Sequence, residues 1–459
     1  MFSRSNSALA LLLAACAPAA PPPAPVRAPS PVVVAAPEPS ASPELAPSAS
    51  VDATPACAPL ADLPDIVTVD ADPPVPAIED PTGAALDRFY EHLAALVRGT
   101  ATDHVRIGMY GDSNLVTDFI TGEMRRVFQK KFGDGGHGFV AIAKPWNSYH
   151  HMDVRQANTP GSWSGYSVSS WSAPDGIEGL GLVAAQSRVI GASAWVATAD
   201  DTAPIGKTVS RFDVFYLKRP GFGSFEVKID GEVKATVDTD APEPVAAFET
   251  IDVPDGPHKA VFTATTMKPV RFFGVALERK KPSVIVDSFG AVSLTVQQMA
   301  TRNDAKVFKD TLAHRNYDLV LYMTGTNEWF GPAKHKEYIE RLIGMHREAT
   351  PGVSIMFMSP PDRAENIHAN ESTWSIKRVG TEKREFSLGD KAAFWDFRQA
   401  MGGEVSIIKF RGQMMCGQDL VHFTEKGGFY MGDRLASALW RGFRDWLVKH
   451  PTAGCAPAK

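Results

Sequence analysis

Three short segments carry residue types that together can transfer an acyl group. Gly111-Asp112-Ser113-Asn114 places a hydroxyl at the end of the apolar run Val105–Tyr110. Gly325-Thr326-Asn327-Glu328 follows a second such run, Asp318–Thr324, and Asp419-Leu420-Val421-His422 lies near the carboxyl terminus. A serine hydroxyl is a poor nucleophile until a neighbour accepts its proton, and His422 is the candidate base for Ser113. Asp419 can hold the other ring nitrogen and stabilise the imidazolium, the three-residue spacing setting the pair about one helical turn apart. The backbone N–H of Ser113 and the side-chain amide of Asn327 can donate to a tetrahedral oxyanion, where losing one donor typically costs about 3–4 kcal/mol. Such a set predicts serine esterase chemistry through an acyl-enzyme, with no metal or organic cofactor.

These residues need rigid elements behind them. Val105–Tyr110 reads as a buried strand, and Phe119, Ile120, Met124, Val127, Phe128 and Phe132 recur at helical spacing after it. A serine between strand and helix would sit at a helix N-terminus, whose dipole favours developing negative charge. Before the strand, Leu86, Phe89, Tyr90, Leu93, Leu96 and Val97 mark a helix opened at Asp80-Pro81 and closed by Gly99. Strands at Val284–Val286, Leu319–Met323 and Ser354–Met358 alternate with helices, the clearest at Lys334–Arg347 and Gly427–Leu447. This alternation predicts an α/β fold, a parallel sheet with helices on both faces, whose ligands bind beyond the strands' carboxyl ends.

Between about Lys144 and Pro282 helical periodicity disappears. Short strand-like runs replace it at Phe212–Leu217, Ser224–Ile229, Glu232–Val237, Phe248–Val253, Lys259–Ala264 and Val270–Leu277. Asp230-Gly231 fits a two-residue hairpin, and the whole predicts a β-sandwich inserted into the α/β domain. Trp146, Trp163 and Trp171 suit either sugar stacking or packing. Phe394 and Trp395 read as core.

The N-terminal 16 residues read as an address. Arg4 precedes the apolar core Ala8–Ala15, which is too short to span a bilayer. From Ala17 to Asp80 the chain has 17 prolines in 64 residues and almost no aromatics, which predicts a disordered tether. The catalytic parts then occupy 81–143 and 283–450, flanking an insertion over 144–282, with a tail over 451–459. Export places Cys57, Cys416 and Cys455 in an oxidising compartment, where three thiols allow at most one disulfide. Cys416, three residues before Asp419, suits either a redox role or, as the favoured reading, a structural pair with Cys57 or Cys455, the partner left open. The net charge of −5 and the lack of basic runs or zinc spacings argue against nucleic acid. His150-His151 has no ligand cluster near it in sequence and reads as solvated loop residues, and Asp112 as a scaffold carboxylate.

The three blocks resemble those of the SGNH, or GDSL-like, hydrolase superfamily. The resemblance implies a three-layer α/β/α fold, Ser113 as nucleophile, Asp419 and His422 completing the triad, and Asn327 in the oxyanion hole. It also implies a glycine donor, best placed at Gly290 in Val286-Asp287-Ser288-Phe289-Gly290, with Gly138 as the alternative. Asn114 stands where many members have an apolar residue or His, a departure that touches acceptor specificity. Gly133–Phe139, Lys144-Pro145-Trp146, Pro360-Pro361-Asp362, Phe394-Trp395-Asp396 and Met401-Gly402-Gly403 look like bacterial peptidoglycan O-acetylesterases, which carry an inserted carbohydrate-binding-like sandwich. An acetylated glycan is the implied substrate. Deacetylation of another polysaccharide, acyl transfer, and an inactive glycan-binding lipoprotein are the competing readings. Leu13-Ala14-Ala15-Cys16 resembles a bacterial lipobox, implying lipidation at Cys16, attachment to a bilayer, and a cell-envelope location, with the outer membrane favoured.

Overall fold

The structure, a computed structural model, describes residues 57–60, 63–147, 149–170 and 176–455. The expected address segment, Cys16, most of the tether and Trp171 lie outside the described residues.

In chain order, α1 (Asp87–Arg98), β1 (Val105–Gly111) and α2 (Phe119–Phe132) come first. An antiparallel region follows: β2 (Gly138–Val140), β3 (Val154–Asn158), β4 (Trp163–Ser167), β5 (Val183–Ser187), β6 (Ser193–Thr198), β7 (Val209–Lys218), β8 (Ser224–Ile229), β9 (Glu232–Asp238), β10 (Val245–Gly256), β11 (Lys259–Ala264) and β12 (Arg271–Glu278). Then come β13 (Val284–Gly290), α3 (Val296–Thr301), α4 (Ala305–Arg315), β14 (Leu319–Met323), α5 (Pro332–Ala349), β15 (Ser354–Met358), α6 (Trp374–Gly389), β16 (Ala393–Trp395), α7 (Phe397–Met401), α8 (Ser406–Gly412) and α9 (Glu425–Lys449).

Five strands form a parallel sheet in the order β13-β1-β14-β15-β16. Its strands are buried on both faces, and alternation decides which core each residue joins. Val105, Ile107 and Met109 of β1 and Leu319, Leu321 and Met323 of β14 pack with α1, α2 and α9. Tyr110, Val320 and Tyr322 face the opposite layer with α3, α4 and α5. In that layer the buried His346 ring lies 5.7–5.8 Å from those of Tyr110, Phe308 and Tyr322, and burial brings its pKa down to about 3. A histidine neutral when folded but protonated when unfolded costs stability as pH falls from about 6.5 toward that value. Thermal denaturation of His346→Phe should therefore show a shallower loss than the parent over this window, by up to about 1.4 kcal/mol per pH unit. Parallel curves would contradict a buried, neutral His346.

The antiparallel strands form two sheets, β10-β7-β12-β5-β4 with β2 on β12, and β3-β6-β11-β8-β9. Their facing sides enclose a separate core that includes Phe212, Val214, Tyr216, Phe225, Val227 and Phe262. Asp230 and Gly231 take φ of 51° and 90° at the β8–β9 hairpin, as the two-residue turn requires. The antiparallel region recruits β2, ahead of Lys144, because Phe139 and Val140 pair with Ala276 and Val275. Strand β12 has both faces covered: Val275 and Leu277 enter the sandwich core, while Phe273 and Ala276 pack toward the parallel sheet.

Where the sequence predicts tether up to Asp80, residues 63–80 instead run against the helices. The indole of Trp440 donates to Pro64 O at 2.8 Å and that of Trp395 to Pro76 O at 3.0 Å. Arg434 and Arg444 donate to the carbonyls of Asp70 and Leu63, and Glu79 bridges to Phe394. Extended backbone satisfies side-chain donors of α9 and β16, so proline content is no obstacle to this strap. Asp80 does not open α1; its carboxylate closes a turn with Thr82 and Gly83. Cys416 does not make the expected pair with Cys57 or Cys455: those two are bonded to each other, and Cys416 is a free thiol buried in the core. No described helix is long and apolar enough to cross a membrane.

Candidate active site

Strand β1 ends at Gly111, and Ser113 stands in the turn beyond it at the carboxyl edge of the sheet. The neighbouring strand β14 leads to Asn327, and the loop ahead of α9 carries Asp419 and His422. Ser113 Oγ lies 2.8 Å from His422 Nε2, and His422 Nδ1 lies 2.6 Å from Asp419 Oδ2. The other Asp419 oxygen accepts from the backbone N–H groups of Val421 and His422, both at 3.1 Å. Partial burial would raise the Asp419 carboxyl, but these hydrogen bonds outweigh it and hold the group below its ordinary range. It therefore stays ionised beside the imidazole. Both side chains are about half exposed, at 49% and 50%, so a bulky substrate can reach them.

The pair is presented differently from the expected helical turn. Residues 418–422 are a tight loop with Leu420 at φ 55°, and α9 begins only at Glu425. The serine is likewise not at the first turn of α2. That helix starts at Phe119, after the turn residues 113–117, so its dipole does not act directly on Ser113.

Asn114 has a role that the sequence did not suggest. It is buried, and its Oδ1 accepts from Phe423 N at 3.0 Å. The amide thus ties the Ser113 turn to the loop that carries His422. Asp112 is also buried, and its Oδ1 accepts from Asn114 N at 3.1 Å, the scaffold function expected of it. Burial raises its pKa against the opposing pull of Asn114, Thr326 and Lys383.

Gly290 pairs in register with Gly111 at the end of β13. A Cβ there would fall 2.5 Å from Leu115 C and Val116 N, so only glycine lets the Ser113 turn approach this closely. Gly138 packs against Ile285 and Asp287, within β2, and has no such relation to the serine turn. Asn327 Nδ2 is buried without a partner among the described residues, a donor free for a ligand.

A buried network fixes the Asn327 loop. Glu328 accepts from Thr324 Oγ1 at 2.8 Å and Val296 N at 3.1 Å, and Lys383 donates to Thr324 Oγ1 at 2.9 Å. Burial alone would raise the Glu328 carboxyl, but Lys383 and His335 bring it down to about 2. Nothing in the sequence around Lys383, on the distant α6, signals this contact.

His150 is exposed as expected, but His151 is buried beside His137 and Asp118. Ligating atoms of these three lie within 4.8 Å of one another, the cluster that the sequence reading lacked. The Asp118 carboxylate, however, already accepts from Arg125 at 3.1 and 3.2 Å, Thr121 Oγ1 at 2.6 Å and Met152 N at 3.0 Å. Its charge is matched by a guanidinium. Burial pushes His151 down to about 4, and its ring stacks on that of Tyr149 at 4.9 Å. Trp163 is also buried, with its indole N–H on Ser193 O at 3.1 Å, and offers no face for sugar.

The solved structure of a peptidoglycan O-acetylesterase superimposes with a TM-score of 0.67 at 22% identity, covering 80% of this chain and 99% of that one. The two chains share one α/β fold. A family two carbohydrate esterase from Clostridium thermocellum, in complex with cellohexaose, aligns over 62% of this chain and 99% of its own at 13% identity, with a TM-score of 0.27. No protein-family model matches the sequence, and no curated protein matches it either. Within this α/β fold, the Ser113 turn, the Asn327 loop and the His422 loop all lie at the carboxyl edge of the parallel sheet, where open α/β sheets bind ligands.

Proposed function

We propose that this chain is a serine esterase that removes O-acetyl groups from a cell-wall glycan. The hydrogen-bonded series Ser113–His422–Asp419, on a fold shared with a peptidoglycan O-acetylesterase, carries the reading. Ser113 Oγ attacks the acetyl carbonyl carbon while His422 Nε2 takes its proton. The tetrahedral oxyanion receives hydrogen bonds from Ser113 N–H, Gly290 N–H and Asn327 Nδ2. Collapse breaks the bond to the sugar oxygen, which leaves with the proton from His422. Water, deprotonated by the same nitrogen, then attacks the acetyl-enzyme and releases acetate. Attachment to the envelope through Cys16 belongs to this proposal and rests on Leu13-Ala14-Ala15-Cys16 alone.

Acetate release from natively acetylated peptidoglycan, with and without prior alkaline deacetylation, tests the substrate. Release is expected from the untreated polymer only. Faster release from acetylated xylan or an exopolysaccharide would transfer the reading to that glycan, and none from any acetylated ester would sink it. Asn327→Ala should lower kcat about 100- to 1,000-fold with little change in melting temperature, because the oxyanion loses a donor that the ground state uses weakly. An unchanged kcat would remove Asn327 from the oxyanion hole.

A further inference from the structure

Trp329 and Trp374 are the two exposed tryptophans among the described residues, at 82% and 70% exposure. Both belong to connections that leave the carboxyl edge of the parallel sheet. Trp329 follows β14 two residues after Asn327, and Trp374 follows β15 as the first residue of α6. Strands β1, β14 and β15 are consecutive neighbours, and β1 leads to Ser113. The strands that precede the two indoles are displaced from β1 by about 5 and 10 Å on the same side.

Neither ring is on a loose tip. Trp329 stands between Glu328, pinned by Thr324 and Val296, and Phe330, whose ring packs on His335 and Tyr338 at 5.4 and 5.3 Å. Phe330 O accepts from Arg378 at 3.2 Å. The same guanidinium lies 5.5 Å from the Trp374 ring centre and is anchored to Glu382 at 2.6 Å. One arginine thus ties the two tryptophan-bearing segments together, and the loop that holds Asn327 is continuous with them. Held by braced segments, both rings stay accessible to a ligand.

We infer that Trp329 and Trp374 form a stacking platform for the sugar rings of the glycan, running from the serine across β14 toward β15. This deepens the glycan reading above and rests on it. A pyranose presents an apolar C–H face to an indole at little ordering cost, because both partners are rigid. Aromatic faces this close to the oxyanion loop can set which residue of the polymer presents its acetyl group to Ser113. Of the insertion tryptophans suited to this, Trp163 is buried and cannot, and Trp171 lies outside the described residues.

The test uses full-length protein carrying Ser113→Ala, which binds without turnover, and purified peptidoglycan, both native and alkali-deacetylated, in a sedimentation assay. Trp329→Ala and Trp374→Ala should each weaken binding about three- to tenfold on both polymers, since stacking does not need the ester. The corresponding Tyr substitutions should recover most of the affinity. Trp195→Ala, in the sandwich strand β6, should bind like the parent. Unchanged binding by the folded double alanine variant, an equal loss in Trp195→Ala, or no binding by the parent would overturn the platform. Loss of binding in the alanine variants, together with no acetate release by unmodified enzyme, would keep the platform and reject the esterase reading. Acetate release with binding indifferent to both tryptophans would do the reverse.

Discussion

Protein carrying Ser113→Ala or His422→Ala should remain folded and lose about 10,000- to 1,000,000-fold in kcat on a small acetyl ester. The loss is this large because the nucleophile and its base act as a unit across one 2.8 Å contact. For the same reason the double variant should be no slower than either single one. Folding should survive because His422 is half exposed and Ser113 sits in a turn at the sheet edge. Steady-state rates, with melting temperatures for each variant, decide the matter. A loss below tenfold in either single variant would place the chemistry elsewhere.

Glu278→Gln should destabilise the protein by about 3–5 kcal/mol, measured by denaturant unfolding. Glu278 ends β12 and is buried between Arg106 of β1, at 2.9 Å, and Arg315 at the end of α4. Arg315 also pairs with Asp287 of β13 at 2.7 Å, and Tyr317 donates to the same oxygen. Removing one carboxylate leaves two guanidinium groups short of a partner where water cannot compensate. Burial would raise the Glu278 carboxyl, but Arg106 and Arg315 hold it well below the usual range. Its folded pKa is depressed, so its contribution is complete above about pH 4.5 and declines as pH falls through the folded value. By contrast, an exposed pair such as Lys306–Asp310 is worth about 0–1 kcal/mol. A loss from Glu278→Gln no greater than that would mean the network is solvated.

The parallel sheet was legible because β1, β14 and β15 are almost wholly apolar runs, broken only by Arg106 and Ser354, the pattern of strands buried on both faces. Six sandwich strands were legible from alternation and from Asp230-Gly231. Strands β3 to β6 were not, because Ser, Gln and Asn at half-buried positions blur a period of two. The site's reacting groups could be read from residue type and order. Their supports could not: Asn114 reaches Phe423, and Lys383 reaches Thr324, across separations that no local pattern records. The strap over residues 63–80 carries the composition of a linker, and only the carbonyl-seeking Trp395, Arg434, Trp440 and Arg444 reveal that it is structural.

The Cys57–Cys455 bond gives the folded body an uncommon topology. Its two ends meet with α-carbons 6.1 Å apart and 398 positions apart in sequence, so the body is covalently a ring. Fusing those ends through a short peptide and opening the chain at the exposed Asp230-Gly231 turn would yield a circular permutant with almost every interior neighbour retained. The order in which the segments occur along the chain is thus separable from the architecture they build.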